Sequence, residues 1–174
     1  MKEIIKYLNI HGIFVIFPFL PYFIIKEILF KEFNDFEKFS FGLFFFSSLI
    51  FSSFYFILYH TEKIYEHKDN SEGRLNFLAH TLGIVFFLSL TFASYYWCLF
   101  NYNENSFIKV SNENEYLDFI YYSFGIFIMN NNSEIQTNSL YAKLFVGTEM
   151  LTAFITLILI LANYKDLKVH KIKN

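Results

Sequence analysis

The run Met129-Asn130-Asn131-Asn132-Ser133-Glu134 places a thioether, three carboxamides, a hydroxyl and a carboxylate in succession within an apolar region. Carboxamide and carboxylate oxygens are hard donors, suited to hydrating or coordinating a cation through side chains rather than to covalent chemistry. A second ionisable group, Glu149, stands alone in the apolar run Leu144 to Tyr164. Such a group inside a membrane-length segment is a functional candidate by default. The competing structural reading has its carboxyl bonding to backbone or hydroxyl groups behind a neighbouring helix.

The polar run is positioned by the residues around it. Leu117 to Met129 is a stretch of thirteen mostly apolar residues with no charge after Asp118. At about 1.5 Å per residue, a helix of that length covers roughly two-thirds of a hydrocarbon core about 30 Å thick. A segment that goes part-way in and then turns polar must be buried in protein or line a wet cavity. That is the outline of a re-entrant pore loop. Four other segments are long enough to span: Tyr7 to Ile25, Phe39 to Tyr59, Leu75 to Asn103 and Leu144 to Tyr164. Pro18 and Pro21 are expected to kink the first. The connections Lys26 to Lys38, His60 to Arg74 and Glu104 to Tyr116 are short and charged, and a brief basic tail follows Tyr164. The tyrosines and Trp97 between Tyr95 and Tyr102 have the composition of an interfacial aromatic belt.

A hydrophobic content of 55%, with 26 Phe among 174 residues, is too apolar for a soluble protein of this length. The class expected is an all-α integral membrane protein, in the cell (inner) membrane. Its organisation reads as two N-terminal helices and a cytoplasmic linker over 1–74, a pore-type unit over 75–165 and a tail over 166–174. A net charge of −2 without a basic patch gives no reason to expect nucleic acid. Cys98 is the sole cysteine, which excludes an intrachain disulfide and thiol-relay chemistry. His11, His60, His67, His80 and His170 include no pair at i, i+4, so no metal site is expected. His60 and His67 are candidates for sensing pH, set against the commoner case of solvated interfacial histidines. No nucleophile–base set is visible, so the chain does not read as an enzyme. Asn131-Asn132-Ser133 matches a glycosylation sequon, read as coincidence at a pore mouth. The N-terminus is read as an uncleaved first helix, because its basic-then-apolar run lacks a small-x-small cleavage site.

With the N-terminus inside, the cytoplasmic side collects nine of the fourteen basic residues: Lys2, Lys6, Lys63, Lys68, Arg74, Lys165, Lys168, Lys171 and Lys173. This bias places both termini in the cytoplasm and lets the short segment enter from the outer face. Glu104, Glu113, Glu115 and Asp118 then lie outside, where they raise local cation concentration or form a solvated loop. No helix carries a spaced series of arginines, so voltage sensing by that route is not expected.

Helix, acidic turret, short re-entrant helix, polar loop, helix is an order that resembles the pore domain of the potassium-channel superfamily in its two-helix form. Sequences of that family often read D-x-x-Y-[FY]-S-[FV] before the filter, D-I after it, then S-x-x-A-[RK]. Here Asp118, Tyr121-Tyr122-Ser123-Phe124, Glu134-Ile135, Ser139 and Ala142-Lys143 occupy those places without a gap. Glu149 and Ala153 stand where many bacterial members carry E-x-x-x-G. The resemblance covers about residues 75 to 165. It implies a homotetramer in the lipid bilayer around an axial pore, Tyr121, Tyr122, Ser123 and Glu149 supporting the pore, and a helix stiffened at Ala153.

The departure lies in the filter itself. Where the family has T-T-V-G-Y-G, this chain has Ile128, Met129, Asn130, Asn131, Asn132 and Ser133. The family's glycines allow backbone angles that side-chain-bearing residues reach at a cost, and its carbonyl cage depends on them. The usual stack of potassium sites is not expected. The expectation is a tetrameric channel for monovalent cations such as K⁺ or Na⁺, with divalent cations as an extension of the same reading, no bound cofactor and weakened or altered potassium selectivity. A filter that still selects potassium and a non-conducting, channel-derived scaffold or partner-dependent subunit are the alternatives.

Overall fold

Charge-free runs have no water to satisfy their backbone in an apolar medium, so they close their hydrogen bonds internally as helices. The computed structural model describes residues 11–29, 35–69, 74–110, 114–130 and 133–164, and it is mostly helical. After a helical stretch at 11–16 come α1 (Phe19–Leu29), α2 (Asp35–Asp69), α3 (Arg74–Tyr102), α4 (Glu115–Phe127) and α5 (Leu140–Tyr164). Three of these helices contain segments long and apolar enough to cross a membrane: Phe39–Tyr65, Phe77–Tyr102 and Leu140–Asn163. Residues His11–Ile24 form a shorter apolar segment, and Tyr7 to Ile10 lie outside the described residues.

The break expected in the first apolar run falls at 17–18, where the helix passes through a turn. Pro18 has no N–H to give to residue 14, and its ring crowds that carbonyl. Pro21 sits in the first turn of α1, where a missing N–H costs little. The Pro18 carbonyl accepts a hydrogen bond from Cys98 Sγ at 3.5 Å.

The helix α2 corrects the expected connection between His60 and Arg74, because it continues to Asp69. The residues after His60, TEKIYEHKD, contain no glycine or proline, and Glu and Lys favour helix whether or not they are buried. Charge marked the edge of the apolar segment, not the end of the helix. The serines of α2 cost it little, since Ser47, Ser52 and Ser53 donate to the carbonyls of Leu43, Ser48 and Leu49.

Ring contacts set the packing order. Phe41 of α2 meets Tyr102 at the end of α3 (4.5 Å between centroids), while Phe46 stacks on Phe145 of α5 at 5.9 Å. Tyr22 of α1 meets Trp97 at 5.4 Å, and His11 lies 4.5 Å from Tyr59. The helix α3 therefore runs antiparallel to α2, whereas α5 runs alongside α2 in the same direction. One apolar core joins all five, with Phe56, Phe92, Tyr95, Tyr96, Phe119 and Phe145 wholly enclosed.

Between α3 and α4 the chain forms a 3-10 turn (Glu104–Ser106) and β1 (Phe107–Ile108). Between α4 and α5 it forms β2 (Gln136–Thr137), antiparallel to β1 with Phe107 opposite Thr137. The Ser106 carbonyl accepts from the Asn138 and Ser139 amides (2.9 and 3.3 Å), and Asn138 Nδ2 donates to the Asn105 carbonyl. The two connections are thus clasped into one layer at this end of the bundle.

Candidate functional site

The site is built around α4, thirteen residues or about 20 Å of helix. Its acidic first turn, with Glu115 and Asp118, complements the positive end of the helix dipole. Phe119, Tyr122, Ser123 and Ile126 recur at three- and four-residue spacing and form its buried face. Phe119 and Tyr122 pack on Phe107 and Tyr96, with centroids 5.1–6.4 Å apart.

Glu149 is the polar centre of this packing. It is 0% exposed, and its two carboxyl oxygens accept hydrogen bonds from Tyr96 Oη of α3 and Ser123 Oγ of α4. One side chain of α5 therefore ties together three elements. This geometry agrees with the structural reading of Glu149, bonded to hydroxyls behind the short helix. A buried polar group that leaves a partner unpaired costs far more than the net gain of one hydrogen bond, so the three residues act as a unit.

The neighbouring Tyr95 faces the other way. Its hydroxyl shares hydrogen bonds with Ser48 and Ser52 of α2. The aromatic-belt reading of this region is corrected for Tyr95 and Tyr96, both 0% exposed. Adjacent residues on a helix point about 100° apart, so the pair bolts α3 to α2 on one side and to α4 and α5 on the other. The signal available was two hydroxyls inside a charge-free run, since a buried Tyr O–H needs a partner.

Of the expected supporting residues, Tyr122, Ser123 and Glu149 are brought together. Tyr121 is not among them, being 59% exposed on the opposite face of α4. Ala153 is buried one turn beyond Glu149, in an unbroken helix.

The end of α4 is where the polar run begins. The Met129 amide donates to the Ile126 carbonyl (3.1 Å) and the Asn130 amide to the Gly125 carbonyl (2.9 Å). This is a Schellman closure, with Met129 at the position that takes a left-handed conformation (φ 54°). Glycine is the usual occupant because a Cβ is strained there. Met129 is 64% exposed. Met129→Gly is therefore expected to raise stability by about 1 kcal/mol, read as a higher thermal midpoint in detergent.

Asn131 and Asn132 lie outside the described residues. The chain resumes at Ser133, whose Oγ accepts from the Ile135 amide (3.2 Å). Glu134 is exposed, and Ile135 (6% exposed) anchors the return to β2. The Ser139 side chain then caps α5, its Oγ accepting from the Ala142 amide at 3.1 Å. That is the physical content of the Ser139-x-x-Ala142 spacing. Met129, Asn130 and Glu134 are thus exposed, the first two at the carbonyl-rich, electronegative end of α4.

His11 is enclosed by the rings of Tyr55, Phe56, Tyr59 and Phe87, while His60 stacks on Phe77. Among the described residues, no group of three or more His, Cys, Asp or Glu is arranged to hold a metal ion. No protein-family model, no curated protein and no solved structure matches the chain.

Proposed function

We propose that the chain is one subunit of a cation-conducting membrane channel, with α3, α4 and α5 as outer helix, pore helix and inner helix. The observation that carries this reading is the suspension of α4. A helix too short to span is held between two that are long enough by the buried Tyr96–Glu149–Ser123 junction, and its C-terminal end leads into the exposed Met129 and Asn130. A half-depth helix needs such support when its loop is to face water inside a membrane.

Subunit association has its own support. Only 28% of the apolar window of α5 is buried within the chain, and Leu117, Tyr121, Ile128 and Met129 leave the free face of α4 apolar. One loop supplies a fraction of an axial site, so four copies around residues 129 to 134 complete it. Asn carboxamides and Glu134 carboxylates from each copy then favour cations over anions, with weaker discrimination among cations than a carbonyl cage gives. The first apolar run acts as a fourth span, with both termini on the cytoplasmic side of the cell membrane.

Purified full-length protein in planar bilayers tests the reading through reversal potentials under Na⁺, K⁺, Ca²⁺ and Cl⁻ gradients. Cation-over-chloride permeability with weak K⁺/Na⁺ discrimination is expected, and Asn131→Gly should shift the ratio between the two cations. A chloride-selective current ends the Asn/Glu assignment. A monomer or dimer without current points instead to a membrane scaffold.

A further inference from the structure

A cavity of about 360 Å³ opens at the clasped end of the bundle. Phe39 and Gly42 of α2, Leu99 and Tyr102 of α3 and Tyr141 of α5 form its walls, with Asn103 and Ser106 of the turn supplying its polar edge. That volume is within the range of small-molecule sites, and apolar walls with a few polar groups are their usual lining.

Three features make it a built site. Its wall is held by close packing of α5 on α2. Gly42 has no side chain, so the Tyr141 ring lies where a Cβ would be, and Tyr141 Oη donates to the Phe39 carbonyl at 3.1 Å. Among the described residues, its lining includes no carboxylate, ammonium or guanidinium. Finally, Ser106 is 1% exposed, and its Oγ is buried with no hydrogen-bond partner although its carbonyl is fully engaged by Asn138 and Ser139. An orphan buried hydroxyl is rare and needs an explanation.

We infer that this cavity binds a neutral amphiphile, a molecule with an apolar body of a few carbons to one ring and a hydroxyl or carbonyl head that pairs with Ser106 and Asn103. A charged ligand finds no counter-charge among the described lining residues and would be desolvated at a loss. A bilayer lipid with an uncharged glycerol head and a free small alcohol or phenol share this chemistry. Because the cavity touches α2, α3, α5 and the turn joined to β2, its occupant braces the layer from which the polar loop returns. The inference does not depend on conduction.

Photolabelling of the full chain in lipid nanodiscs with a diazirine-bearing octanol, mapped by mass spectrometry, is the test. Label is expected to concentrate on Tyr102 and Tyr141 rather than spread over the exposed apolar helices. Ser106→Ala should lower that labelling about five- to tenfold while leaving the thermal midpoint unchanged or higher. Leu99→Phe, which fills the cavity, should abolish it. Competition by plain octanol alone identifies a free small-molecule site, and competition by monoolein alone identifies a lipid site. Even labelling along the helices, insensitive to both variants, overturns the inference. So does a lowered midpoint for Ser106→Ala, because it means that the hydroxyl already has a partner within the fold.

Discussion

Glu149→Ala is expected to destabilise the protein by about 3 kcal/mol, the largest effect of any single polar substitution at this site. The change removes the acceptor of two buried donors, Tyr96 Oη and Ser123 Oγ, which sit on different helices. Ser123 has a second choice, because a serine in a helix turns back to the carbonyl four residues earlier at small cost. Tyr96 has no such route, its hydroxyl lying far from its own backbone within a 0% exposed side chain. Most of the loss therefore falls on Tyr96, with a further contribution from the space left by the missing carboxyl. Glu149→Gln keeps one acceptor oxygen and is expected to cost about half as much. The decisive measurement is a double-mutant cycle in detergent. Tyr96→Phe should cost about 1–2 kcal/mol in the native background and close to nothing beside Glu149→Ala. Equal costs in the two backgrounds would mean that the hydroxyl and the carboxyl act independently, and the junction would lose its place in the account of α4.

Gly42→Val is expected to cost about 2–3 kcal/mol through overpacking. A Cβ at position 42 would lie 2.7 Å from two carbons of the Tyr141 ring. That ring cannot simply swing away, since its hydroxyl is tied to the Phe39 carbonyl one turn earlier on α2. The opposing term is helix propensity, because a mid-helix glycine is about 1 kcal/mol worse than alanine. For Gly42→Ala the two terms nearly offset, leaving a small net loss. The sign should reverse once the ring is gone: in a Tyr141→Ala background, Gly42→Ala is expected to stabilise by roughly the propensity difference. A stabilising Gly42→Ala in the native background would show that α2 and α5 sit further apart than the ring contact requires.

Much of the architecture was legible in the sequence because length of apolar run and helix length are the same local property. The run Leu75 to Asn103 became α3 (Arg74–Tyr102), and Leu117 to Met129 became α4 (Glu115–Phe127). Shifts of one or two residues at these ends are ordinary for helix termini, which fray. Where the reading erred, it equated charge with loop. The residues of α2 beyond His60 are charged and helical, because Glu and Lys satisfy helix propensity as well as apolar residues do. It also equated aromatic with interfacial, and Tyr95 and Tyr96 proved to be interior bolts.

The candidate site divides in the same way. The sequence by itself determined that a helix too short to cross a bilayer precedes a run of asparagines, and that one carboxylate lies within the last apolar helix. Both are statements about neighbours along the chain. Only the tertiary structure decided that Glu149 meets Ser123, 26 positions away, and Tyr96, 53 positions away. It likewise put Met129 in a left-handed turn and left Tyr121 outside the junction that holds Ser123. The reason is that a hydrogen-bond partner depends on which face each helix turns toward its neighbours. Three helices must pack before a buried hydroxyl has any acceptor to find.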